Sequence, residues 1–240
     1  MEHEQQVKRF WTEVGVAPVD GGGWQVHLDS RPVKTQGFRA QIVPTRALAE
    51  ALAEEWRAQG EKVDPQLFVL RDMVDFAIDQ VAPAPDVLIG STLPYGDTDT
   101  LCYRAPEGDS LRTRQDEAWG PILAPIEAEI SAKFALADGV IHAEQPEATR
   151  TALRARLEAL DPFTLTAVHN MAAIAASLCV ALTMLDDGAD TDALFGAANL
   201  EEDWQAIQWG WDGDALARRD ARLAGFTHAA RLARLARSED

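Results

Sequence analysis

The chain has 240 residues, and an apolar content of 47% is ample for a packed core in one large domain or two small ones. Its 22 Lys and Arg against 39 Asp and Glu give a net charge of −17, which opposes binding to a phosphate backbone and excludes nucleic acid as an expected partner. The longest apolar run, 171–185, is shorter than the ~18 residues that suggest a membrane span, so no membrane insertion is expected.

Residues 1–6 have neither an apolar secretory segment nor the Arg-rich character of a transit peptide, and a cytoplasmic location is expected. Short apolar runs follow at 14–19, 24–28 and 40–43, separated by Asp20-Gly21-Gly22-Gly23 and Asp29-Ser30-Arg31-Pro32, the pattern of strands joined by turns. Pro44-Thr45 then caps a helix whose Leu48, Leu52 and Trp56 share a face and which ends at Gly60. A second helix runs over 70–81 with Leu70, Val74, Ala77 or Ile78, and Val81 inward. Its other side carries Asp72, Asp75 and Asp79, either a solvated face or a surface for a cation or a basic partner. A short strand is expected at 100–103 and a turn at 106–109.

Beyond that turn strand signals nearly vanish. Asp161-Pro162 opens a helix to about Leu185 that is apolar on nearly every side, as befits the centre of a bundle, and His169 inside it reads as a satisfied core histidine. The fold class is therefore α+β: a mixed strand and helix domain over 1–108, followed by a larger all-α helical bundle over 109–240. Cys102 and Cys179 stand far apart with no CxxC pair, so neither a disulfide framework nor a zinc ribbon is indicated.

Near the C-terminus, residues 201–211 hold three tryptophans and three consecutive acids, Glu201, Glu202 and Asp203. Ala197, Leu200, Trp204, Ile207 and Trp211 step by three or four and form a core stripe on one helix, which leaves Trp209, Glu202 and Gln205 on the opposite side. An indole beside a carboxylate suits a partner interface unless a second helix covers it. Over 214–240 six arginines face four acids, a segment of +2 after a remainder of −19, and these arginines are expected to pair with acidic faces.

Signs of chemistry are weak. Gly21-Gly22-Gly23 joins two strands and opens no helix, so it is no phosphate loop and no nucleotide is expected. His3, His27, His142, His169 and His228 never take the i, i+4 spacing of helical metal ligands, and no metal or cofactor is expected. The carboxylates Asp97 with Asp99, or Glu201, Glu202 and Asp203, could supply an acid/base pair. Alongside a binding protein, a generic acidic interaction module and a small carboxylate-dependent hydrolase are thus the readings left open.

Several segments in order resemble one family, the assembly chaperones of the F(1) sector of ATP synthase that act on its alpha subunit, found in mitochondria and alphaproteobacteria. The likeness is carried by Arg9-Phe10-Trp11, by Val26 through Thr35, by Val43-Pro44-Thr45 through Gly60-Glu61, by Asp97 through Ala105, by Arg114 through Trp119, and by Glu202-Asp203-Trp204-Gln205 to Gln208-Trp209-Gly210. Relatives tend to carry acids where this chain has Ile207 and Trp211, and Gly-Ser-Leu where it has Ala176-Ser177-Leu178. The resemblance implies a non-enzymatic chaperone that shields the unassembled alpha subunit until the beta subunit replaces it. It also implies a mitochondrial matrix location in eukaryotic relatives and a functional acid at Glu202. Partner contacts are expected at Glu201, Glu202, Asp203, Gln205 and Trp209.

Overall fold

A computed structural model describes residues 7–139 and 143–239; residues 1–6, including His3, and His142 lie outside it. Two compact units divide the chain. One takes in the described residues up to Ala84 with Pro162–Thr166 and those from Arg231 on, and the other holds Pro85–Asp161 and Ala167–Ala230. The composition change near residue 108 marks where strand signals end. Contacts divide earlier, after Ala84, because the helices over 85–97 pack with later helices of the second unit.

In the first unit, β1 (Val14–Pro18) and β2 (Trp24–Leu28) form an antiparallel hairpin, with Pro18 opposite Trp24. Its turn needs glycine: Gly21, Gly22 and Gly23 all have positive φ, and a Cβ on Gly23 would meet Ile42 at 2.7 Å. The Asp29–Pro32 segment, expected as a turn, is shorter as a turn and partly strand. Leu28 pairs with Arg31, leaving only Asp29 and Ser30 to turn, and β3 (Arg31–Pro32) begins at once. Asp29 takes φ 54, and its carboxylate accepts from the backbone N–H of Thr12 and Glu13. β4 (Ile42–Val43) pairs with β2 and completes a four-stranded sheet.

The helix α1 (Arg46–Arg57) follows, N-capped by the Thr45 hydroxyl, which accepts from Leu48 N–H, and it buries Leu48 and Leu52. α2 (Val69–Phe76) buries Leu70 and Val74, then widens into a π turn at Ala77–Val81. Its acid stripe is a solvated face only at Asp72, which is exposed, while Asp75 is buried and Asp79 is largely covered. Asp79 accepts from Gly37 N–H and the Thr35 hydroxyl, Asp75 from Gln36 N–H and the Gln41 side chain, and Asp72 from the Gln36 side chain. These three aspartates clamp the loop that follows β3. Burial pushes the Asp75 carboxyl above its ordinary value.

In the second unit, α3 (Pro85–Thr92) and α4 (Pro94–Asp97) lead to a 3-10 turn at Thr100–Cys102 and to β5 (Tyr103–Arg104). The expected strand is therefore mostly a helical turn, capped by Asp99, which accepts from Leu101 N–H. The helix α5 (Ser110–Ile130) buries Trp119 completely, its indole N–H donating to the Ala197 carbonyl at 2.8 Å. β6 (Ala137–Asp138) pairs parallel to β5, and α6 (Glu147–Glu158) buries Leu153 and Leu157.

The long apolar helix is in fact two. α7 (Pro162–Ala175) ends at Ala176, which has φ 49, and the Ser177 hydroxyl caps α8 (Leu178–Thr183) by accepting from Val180 N–H. The break lets the Ala176 carbonyl accept from Thr100, while Asp99, fully buried, accepts from Cys179 N–H. α9 (Thr191–Ala198), α10 (Leu200–Trp209) and α11 (Gly213–Ala236) complete the chain. Among the described residues no helix is long and apolar enough to cross a membrane.

Candidate partner-binding surface

Asn199 alone separates α9 from α10, and it lies outside helical geometry at φ −105 and ψ 17. Its side chain is buried, donating to the Phe195 carbonyl and accepting from Arg222. The break shifts α10 relative to a continuous helical wheel. Gly210, at φ 85, then ends α10 directly after Trp209.

Consequently the expected core stripe does not hold. Ile207 is 72% exposed, and Trp211, past the helix end, is 39% exposed; α10 has no fully buried residue. Trp204 is half-buried under the Arg114 guanidinium, which lies 4.3 Å from the ring centre. Trp209 is 77% exposed, and Gln205 is exposed with it. Leu216, near the start of α11, is also exposed, so large apolar side chains are exposed on more than one side of the end of α10. Beside it lies a groove of about 470 Å³ lined by Arg114, Ala118, Leu200, Asp203, Trp204 and Ile207.

The three acids have intramolecular partners. Glu201 accepts from the buried Gln115 side chain at 2.6 Å. Glu202 pairs with Arg222 at 3.1 Å. Asp203 receives two hydrogen bonds of 2.7 Å from Arg219, a bidentate pairing that holds the Arg219 pKa above its ordinary value. Placing acids in the first turn also suits the partial positive charge of a helix N-terminus. So two of the six C-terminal arginines, Arg219 and Arg222, pair with acids here, and Glu202 and Asp203 fasten α10 to α11. Sequence reasoning missed Ile207, Trp211, Leu216 and Arg114. One signal was available: positions where relatives carry acids are positions that tolerate water.

Other candidate chemistry resolves into structure. Asp99 is raised above the ordinary carboxylate range by burial, but it is closed from solvent by the groups it caps and lines no cavity given above. Asp97 pairs with Arg150 at 2.9 Å. The Thr92 hydroxyl donates to the Leu88 carbonyl and accepts from His169 Nδ1, and burial lowers the His169 pKa. Both cysteines are buried and free, and among the described residues no cluster of His, Cys, Asp or Glu could hold a metal ion.

Residues 8–127 match the family model described as ATP12 chaperone protein. Among solved structures, Atp12 from Paracoccus denitrificans is similar at 36% identity with a TM-score of 0.90, over 96% of this chain and 98% of that one. A point mutant of the Paracoccus protein matches equally well. A candidate chaperone from Agrobacterium tumefaciens matches at 35% identity with a TM-score of 0.87, over 94% of this chain and 85% of its own.

Proposed function

The chain belongs to the ATP12 chaperone family, a family of ATP synthase assembly chaperones, and from that premise we propose that it binds the unassembled alpha subunit of the F(1) sector through the end of α10. Binding shields the alpha-subunit surface destined for the beta subunit, and arrival of the beta subunit releases the chaperone. The observation that carries this reading is the exposure of Trp209, at 77%, on a helix whose acids are already held in place. An indole held in water at a helix end suits an interface anchor, and covering it contributes about 1.5–3 kcal/mol.

The work is binding, without catalysis, nucleotide, metal or other cofactor, and it takes place in the bacterial cytoplasm. Because Glu202 and Asp203 are tied to α11, the apolar anchors lead the contact and the acids set its position. Light scattering of alpha subunit diluted from denaturant tests the proposal, with an unrelated aggregating protein as control. Suppression confined to the alpha subunit supports it, whereas equal suppression of both proteins identifies a generic acidic interaction module.

A further inference from the structure

A second groove, of about 560 Å³, opens on the first unit, with Phe10, Phe38 and Trp56 among its lining together with the buried Leu28 and Val33. Its charged lining is cationic throughout: Arg31, Lys34 and Arg71, with no carboxylate. Arg71 is engaged, lying 4.2 Å from the Phe68 ring centre and 3.6 Å from Asp75. Arg31 and Lys34 are exposed, and among the described residues neither forms an ion pair. The surrounding sequence is locally basic. Residues 7–43 carry Lys8, Arg9, Arg31, Lys34 and Arg39 against Glu13, Asp20 and Asp29, five minus three or +2, in a chain of −17.

Phe38 adds an independent observation. It is 83% exposed and sits at φ 65, a left-handed conformation that costs a non-glycine residue about 1–2 kcal/mol. The loop bearing it is clamped by the aspartates described above. Gly37 is so close to Asp79 that an added Cβ would stand 2.7 Å from the carboxylate. The fold thus holds an aromatic ring in water, on a strained and firmly pinned loop, beside two exposed cations, an arrangement preorganised for a partner.

We infer that this groove binds an acidic peptide segment of a partner protein, one that carries a large apolar side chain. The apolar side chain lies against Phe10 and Phe38, and the flanking carboxylates meet Arg31 and Lys34. Charge complementarity selects this occupant, and the −17 of each copy opposes a second copy of the chain. The residues that line this groove belong to the first unit and α10 to the second, and the inference does not depend on the identity of the client proposed for α10.

The test is fluorescence anisotropy of a labelled Asp-Glu-Trp-Glu-Asp peptide titrated with the intact protein at low and high salt. Saturable binding that weakens with salt is expected, and replacing the peptide's Trp by Ala or its acids by Lys should abolish it. Phe38→Gly removes the ring and relieves the backbone strain, so it should weaken binding by about tenfold or more while the melting temperature holds or rises. The Arg31→Glu, Lys34→Glu double variant should lose the salt dependence. Absence of saturable binding, equal binding of the Lys peptide, or undiminished binding by Phe38→Gly would overturn the inference. So would salt-sensitive self-association in sedimentation that the double charge reversal removes, since a second copy would then fill the groove.

Discussion

Arg222 donates to the Glu202 carboxylate at 3.1 Å through one guanidinium nitrogen and, through the other, to the Asn199 side-chain oxygen at 2.5 Å and the Ile174 carbonyl at 3.2 Å. One cation therefore joins α11 to the first turn of α10, to the break before it and to α7. Both members of the Glu202–Arg222 pair are 41% exposed, so screening leaves the pair itself worth only about 0–1 kcal/mol. Its larger effect is to fix where the exposed end of α10 points.

Glu202→Lys should therefore act through Arg222. Opposing two cations is expected to lower the melting temperature by a few degrees and to weaken binding of the alpha subunit. Combining it with Arg222→Glu should restore much of both, as a double-mutant cycle would measure. A double variant that binds no better than Glu202→Lys alone would mean that the acid touches the partner directly.

Trp209→Ala should separate function from stability. The side chain is 77% exposed, so unfolding should shift by no more than about 0.5 kcal/mol, while partner binding should weaken by about 2 kcal/mol or more. Chemical denaturation paired with a binding titration reads both quantities.

Ala176→Gly should stabilise the chain by roughly 0.5–1 kcal/mol, because glycine occupies φ 49 without the penalty that alanine bears. Calorimetry should record a rise of a few degrees. No rise would show that the break between α7 and α8 carries no strain.

Asp29 supplies the pH test. Backbone N–H groups of Glu13 and Thr12 lower its pKa below the ordinary carboxylate value. The ionised form is thus favoured in the folded state, and its contribution to stability is present above the ordinary value. That contribution is lost as pH falls through the lowered one. Asp29→Asn keeps a residue that tolerates φ 54 but removes the charge. It should be less stable than the parent at neutral pH, and the difference in melting temperature should close in strong acid.

Much of the first unit is legible in the sequence because its signals are local. Gly21-Gly22-Gly23 requires a turn, Thr45 caps α1, and the spacing of Leu70, Val74 and Val81 names the buried side of the second helical segment. The two helix breaks are less visible. Ala176 and Asn199 are compatible with a helix by residue type, and only tertiary hydrogen bonds, donated by Thr100 and by Arg222, show why the chain departs from one there. Gly-Ser-Leu in relatives was the available hint for the first. At the candidate surface Trp209 could be placed outside the core from the helical wheel. Ile207 could not, since an apolar residue on an apolar stripe looks buried until Asn199 and Gly210 are seen to cut the stripe at both ends. The roles of Asp72, Asp75 and Asp79 were equally hidden, because their partners lie in a loop more than thirty residues away.

The most direct test of the central claim is the affinity of immobilised, unassembled alpha subunit for the intact protein and for a Trp209→Ala variant of matched thermal stability. Saturable binding by the parent and a loss of about thirtyfold or more in the variant are expected, the effect of removing one aromatic anchor. Equal affinities would contradict it and place the alpha-subunit contact away from the end of α10.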